Sequence, residues 1–216
     1  RLDSIVKRNR PLQRGDHLFR AEEPFRNLFV VKTGAVKTFT QTNDGDEQVV
    51  GFHLPGEVLG LDAIQDGHHG CSARALETTA ICELPFERLE DLSANIPSLQ
   101  HQMFRLLSKE ISQEAEMMAL LGRSTAEERV ASFLLSLSDR FKRRGFSATD
   151  FFLSMSRQEI GSYLGLALET VSRLFTRFQD ERLLQVDRKH IKLIDVEGLQ
   201  AIVNGPGSEG HQNTYT

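Results

Sequence analysis

Two kinds of periodicity divide this sequence. From Pro11 to Phe86 the apolar residues come in short β-prone runs: Leu28–Val31, Val36–Thr40, Gln48–His53 and Ala80–Leu84. Glycines 15, 34, 45, 51, 56, 60, 67 and 70 break them up. Branched and aromatic runs at that spacing predict many short strands. Asn43-Asp44-Gly45-Asp46 supplies a hairpin turn between two of them. The pattern predicts an all-β barrel or jelly roll, which can be either a side-chain-filled scaffold or a ligand holder.

Beyond Pro97 the period lengthens to that of a helix. Met103, Leu107, Ile111, Glu114, Met118 and Leu121 advance by 4, 4, 3, 4 and 3 residues and share one stripe of a long helix ending near Gly122. Leu99, Leu106 and Ala115 form a second stripe, expected to pack back on the barrel. A helix with two apolar faces needs two partners, and a second copy across a twofold axis is the simplest for the outer one. Glu114 in that stripe is either a rim residue or a like-charge penalty on pairing.

Ser124–Glu128 ends this helix and caps the next, which carries Val130, Phe133, Leu134 and Leu137 to about Phe141. Arg140–Gly145 reads as a basic connector. Ser156 and Glu159 then form a capping box, followed by Ile160, Tyr163 and Leu164 on one face and a stop at Gly165. From Leu168 a second helix turns Val171, Leu174, Phe175 and Phe178 inward and Glu169, Ser172, Arg173, Thr176 and Arg177 outward. This is either a plain helical hairpin or a helix-turn-helix whose second helix enters the DNA major groove. The outward residues favour DNA: arginine reads guanine, a carboxylate accepts from cytosine, and a small hydroxyl tolerates a thymine methyl. Leu183–Val186 and Ile191–Ile194 flank Asp187–His190 as a two-stranded wing, and a polar tail from Asn204 is expected to be disordered.

Charge changes this picture little. Residues 1–121 carry 13 Lys and Arg against 18 Asp and Glu, and residues 122–216 carry 13 against 12. DNA binding would therefore lean on a local face of Arg173, Arg177, Arg182, Arg188 and Lys189, and on dimerisation. Two cysteines make no disulfide framework, and no apolar run is long enough for a membrane span. Without a signal peptide, a reducing cytoplasm is expected. The chain begins at Arg1, inside what reads as a helix through Leu2, Ile5 and Val6, so a preceding segment is expected. His68 and His69 are adjacent and would point to opposite strand faces; with His17 and His53 they give no metalloenzyme constellation. The reading is a binding protein and no enzyme.

From Leu2 to Asp195 the chain resembles the Crp/Fnr superfamily of bacterial transcription regulators, most of all its fumarate and nitrate reduction branch. The resemblance is carried by GDEQVVGFHLPGEVLGLDAI (45–64), ALETTAICELPFERLEDLS (75–93), AEERVASFL (126–134) and Glu169-x-x-Ser172-Arg173. It implies an α+β chain: a cyclic-nucleotide-binding-like β-roll (1–95), a dimerisation helix (96–122), a winged helix-turn-helix (123–203) and a tail (204–216).

Glu169, Thr170, Ser172 and Arg173 are the implied DNA readers of a palindromic TTGAT-type site, with Arg177 on phosphate. Asn43, Asp44, Gly45 and Asp46, and also Arg140–Arg144, resemble loops that touch RNA polymerase. Cyclic-nucleotide readers pair a Gly-Glu with a later Arg-Ser. Gly56-Glu57 is here, but Cys71-Ser72 replaces Arg-Ser, so cyclic AMP is not expected to bind. Cys82 matches the β-roll ligand of a [4Fe–4S] cluster, whose other three cysteines would lie upstream of Arg1; Cys71 matches no ligand. A roll sensing a haem-bound gas, with His53 as axial ligand, or a small organic effector is the second reading.

Overall fold

The computed structural model describes residues 6–8, 10–42 and 44–205. Expectations resting on Leu2, Ile5, Asn43 and the tail beyond Gly205 lie outside the described residues. The chain divides into two compact units, Arg1–Met118 and Ala119–Thr216.

The first unit is the expected roll. Strands β1 (Lys7–Arg8), β2 (His17–Phe19), β3 (Asn27–Thr33), β4 (Val36–Gln41), β5 (Glu47–His53), β6 (Val58–Leu59), β7 (Ser72–Ala75) and β8 (Ala80–Pro85) form two four-stranded antiparallel sheets. Their orders are β1-β8-β3-β6 and β2-β7-β4-β5. Alternation along the strands sends Phe19, Phe29, Val31, Val36, Leu59, Ala73 and Ile81 into one core, with Leu12, Leu18 and Cys71 packed against it. Each large side chain so buried stabilises the fold by roughly 1.5–3 kcal/mol before ordering costs.

The β4–β5 hairpin turns through Asp44-Gly45, where Gly45 takes φ 86° and its N–H donates to Thr42 O at 2.9 Å. Across the hairpin Lys37 Nζ donates to Glu47 at 2.8 Å, and Arg74 of β7 closes on the same carboxylate at 2.6 Å. The expected opening helix is not formed where it is described: Val6 is non-helical, and Lys7 and Arg8 pair with Glu83 and Cys82 of β8.

Helix α1 (Phe86–Asn95) precedes the long α2 (Pro97–Arg123), which starts and ends as the sequence indicates. On α2, Leu99 and Leu106 are half-buried, but Ala115 is exposed and does not pack back. Met103 and Leu107 are also half-buried, whereas Phe104, Ile111 and Met118, spaced by seven, stand exposed beside Glu114 and Leu121.

The second unit contains α3 (Ala126–Lys142), β9 (Asp150–Phe152), α4 (Arg157–Leu164), α5 (Leu168–Asp180), β10 (Leu184–Asp187), β11 (His190–Leu193) and α6 (Val196–Asn204). Val130, Leu134 and Leu137 of α3 are buried with Ile160, Leu164, Val171, Phe178 and Leu199 of the helices around them. The wing has three strands in the order β10-β11-β9 where the sequence showed two. The basic connector is partly helix, since Arg140 and Lys142 lie in α3. Asn204, where the tail was expected to begin, closes α6. Among the described residues no helix is long and apolar enough to cross a membrane.

Candidate nucleic-acid interface

Local chemistry sets the ends and the turn of the α4–α5 pair. Ser156 Oγ accepts from Glu159 N at 3.2 Å, and the Glu159 carboxylate takes the Ser156 N–H at 2.7 Å. That reciprocal bond satisfies two free donors at the start of α4. Gly165 ends the helix at φ 65°, ψ 38°, a left-handed cap that a side chain would strain. The turn then folds so tightly that a methyl at Gly161 would lie 2.5 Å from the Leu166 carbonyl oxygen. Leu166 N donates to Gly161 O at 2.9 Å, so the small residue is what lets the two helices close.

Two arginines lock this pair, and both escaped the sequence reading. Arg157 lays its guanidinium 3.4 Å from the Phe175 ring centroid, joining α4 to α5; burial there lowers its pKa to about 10. Arg129 of α3 donates to three carbonyls: Ser124 O at 3.1 Å, Leu121 O at 2.8 Å and Leu164 O at 3.1 Å. One side chain thereby satisfies free carbonyls at the ends of both α2 and α4. No periodicity reveals such a partner 35 positions away.

On this frame α5 buries Val171, Phe175 and Phe178 and exposes Glu169, Ser172 and Arg173 on its first turns. Thr170 is half-buried, its hydroxyl 3.5 Å from Arg173 Nη2. Arg177 departs from expectation. It is exposed, but its guanidinium pairs with Glu127 Oε2 of α3 at 3.0 Å and Glu181 Oε1 at 2.7 Å. The hydrogen bond to Glu181, then the Glu127 charge, hold its pKa above the ordinary value. Its guanidinium is thus already paired within the protein, which the sequence did not show. Arg182 and Arg188 are exposed at left-handed φ of 58° and 57°, and Lys189 turns back to Ser154 O at 3.4 Å.

Comparison with known proteins matches these two units. A cyclic nucleotide-binding domain family matches residues 9–95 and a Crp-like helix-turn-helix domain family matches residues 128–202. The chain is 52% identical over 204 residues to the transcriptional activator protein anr of Pseudomonas aeruginosa, covering 94% of this chain and 84% of that protein. The chain belongs to the Crp/Fnr family of transcription regulators.

The fumarate and nitrate reduction regulatory protein of Escherichia coli (strain K12) is 48% identical to this regulator over 198 residues, covering 92% of it and 79% of the relative. Among solved structures, FixK2 from Bradyrhizobium japonicum superposes with a TM-score of 0.83 at 31% identity, over 92% of this chain and 97% of its own. The family is one of regulators, not enzymes, as the sequence reading held.

In the roll of this Crp/Fnr regulator, the Glu57 carboxylate closes its own turn by accepting from Leu54 N at 2.8 Å. Ser72 Oγ accepts from Ala21 N at 3.0 Å. Cys71 donates to Asp62 Oδ2 at 3.7 Å; burial, with Asp62 beside it, pushes the thiol up to about 12 and leaves it a poor metal ligand. A carboxylate, Asp62, thus borders Cys71. His53 Nε2 lies 3.1 Å from Thr38 Oγ1, so the candidate axial ligand is engaged inside the sheet.

Cys82 is a half-buried free thiol on β8, in register with Arg8 of β1 and Val30 of β3. A [4Fe–4S] cluster takes four thiolates. Among the described residues no group of three His, Cys, Asp or Glu is arranged to hold a metal, so they do not by themselves fit the cluster. Asp44 and Gly45 sit exposed at the hairpin tip with Asp46, whose carbonyl accepts from Thr42 N.

Proposed function

We propose that this regulator is an oxygen- or redox-responsive transcription factor for genes of anaerobic metabolism. It acts in the cytoplasm, binding as a homodimer to a palindrome of TTGAT-type half-sites. The observation that carries the reading is the α5 face: Glu169, Ser172 and Arg173 exposed together on a helix whose other side is locked by Phe175, Phe178 and Arg157. A rigid helix presenting a carboxylate, a hydroxyl and a guanidinium on adjacent turns suits the edges of C, T and G in a major groove. The names of the relatives, an activator called anr and fumarate and nitrate reduction regulatory proteins, support the anaerobic role.

Asp44, Gly45 and Asp46 are the proposed polymerase-contacting tip, and the exposed α2 stripe is the proposed dimer seam. Cys82 is the proposed cluster ligand within this stretch, on the strand next to the incoming N-terminal segment. Spectra of the anaerobically purified protein, with and without Cys82→Ala, test that part.

The DNA reading is tested by titrating Arg173→Ala against three duplexes: the palindrome, the palindrome with its half-site G replaced, and a random sequence. Arg173→Ala should cost roughly 1–3 kcal/mol per half-site on the palindrome and remove the preference for G there. Equal loss on all three duplexes overturns the base-reading role.

A further inference from the structure

The pairing of Arg177 has a functional side. Arg173 and Arg177 are four residues apart on α5 and so lie on one stripe, Arg177 one turn farther from the base-reading end. An exposed arginine at that place would meet the DNA backbone with a full positive charge. Here two carboxylates already occupy it, Glu127 from the first turn of α3 and Glu181 from the residue following α5.

Two acids thus face one cation, and the exposed Asp180 is next to Glu181 in sequence. A phosphate approaching Arg177 competes with both carboxylates for its donors. The carboxylates offer the guanidinium what a phosphate offers, planar oxygen acceptors at hydrogen-bonding distance.

We propose that Glu127 and Glu181 are an intramolecular substitute for DNA phosphate at Arg177, an affinity-setting pair that weakens sequence-independent binding. The proposal rests on the reading that α5 faces DNA. It assigns to two acidic side chains a part in the DNA-binding strength of the protein that their place on the surface does not otherwise suggest. The helix-turn-helix frame has other supports: the α3 cap uses Thr125 and Glu128, and α5 carries a buried face of Val171, Phe175 and Phe178.

The experiment compares the full chain with Glu127→Gln, Glu181→Gln and the double variant, each with Arg177 or Arg177→Gln. Affinity for the palindrome and for a random duplex is measured across a salt series. Asp180→Asn is the control, removing a neighbouring negative charge without touching the pair.

The double variant should bind both duplexes about two- to tenfold more tightly at low salt, the range that releasing exposed ion pairs supports. Its plot of log K against log salt should steepen by about 0.9 for each phosphate newly contacted. Arg177→Gln in the same background should abolish both gains. An unchanged salt slope, a gain that survives Arg177→Gln, or an equal gain from Asp180→Asn overturns the proposal. Arg173→Ala on the same duplexes keeps the outcomes apart: if it loses the palindrome selectively while the double variant changes nothing, α5 reads DNA and the carboxylates play no part. If Arg173→Ala shows no base preference, the DNA reading itself has failed.

Discussion

The proposed dimer seam can be tested at one residue, Ile111. It lies 68% exposed on α2, midway between Phe104 (61%) and Met118 (74%), each seven positions away. That spacing, with Leu107, Glu114 and Leu121 three residues beyond each, is the a/d pattern of a two-helix seam. Truncating Ile111 to Ala removes about three carbon groups worth roughly 0.8 kcal/mol each when newly buried. Only the exposed two-thirds of the side chain is available to be covered, so each copy loses about 1.6 kcal/mol and the pair about 3 kcal/mol, before any cavity term. The dimer constant should weaken by roughly two decades.

Glu114→Ala should act oppositely. Two carboxylates about 6 Å apart at intermediate dielectric repel by about 1–3 kcal/mol, so their removal should tighten the dimer by one or two decades. Sedimentation equilibrium of wild type and both variants reads the constants directly, and palindrome affinity should follow in the same order. If Ile111→Ala leaves the constant unchanged, the stripe is not the seam. If only Glu114→Ala is silent, the seam stands and the acid lies at its rim.

Two further outcomes concern the roll. His69 is buried, its ring stacked 3.8 Å from that of Phe19, and Nδ1 has no hydrogen-bond partner. Burial lowers its pKa, against the pull of Asp62 and Glu23. The unfolded chain therefore takes up this proton first, so stability is whole above about pH 6.5 and falls as pH drops toward the folded-state value. His69→Phe, which keeps the stack, should flatten that acid slope in urea titrations between about pH 7 and 5; His17, also lowered by burial and then by Arg74 and Arg20, should sustain what slope remains. An unaltered slope would show that His69 protonates as freely folded as unfolded. Cyclic AMP at millimolar concentration should leave Tm unchanged, because Cys71, bonded to Asp62, stands where the resemblance calls for the phosphate-binding arginine; a saturable upward shift would refute this, since native-state binding must stabilise.

What was legible in the sequence was whatever acts within a few residues. Ser156 with Glu159, the cap at Gly165, the Asp44-Gly45 turn and the α5 periodicity are encoded at separations of two to four, and all were read correctly. The short strands β1, β2, β6 and β9 were missed because two or three residues carry too little period to register, and β7, α1 and α6 were not picked out either. Lys7–Arg8 is a strand only because β8 offers an edge to it.

The side chains whose partners the sequence did not show are mostly arginines, and for one reason. A guanidinium carries five donors on a long stem, so its partner is set by the fold and not by its neighbours in sequence. Arg129 finds Leu164, and Arg177 finds Glu127 fifty positions away. Sequence could place Arg177 on the exposed face of α5; only the fold could show that two acids hold it there. The same distinction bears on Arg173, whose guanidinium makes a weak 3.5 Å hydrogen bond to Thr170 one turn back. With no carboxylate paired to it among the described residues, Arg173 has its donors open for the proposed base edge, while on the proposed reading its neighbour on the stripe would exchange partners to reach DNA.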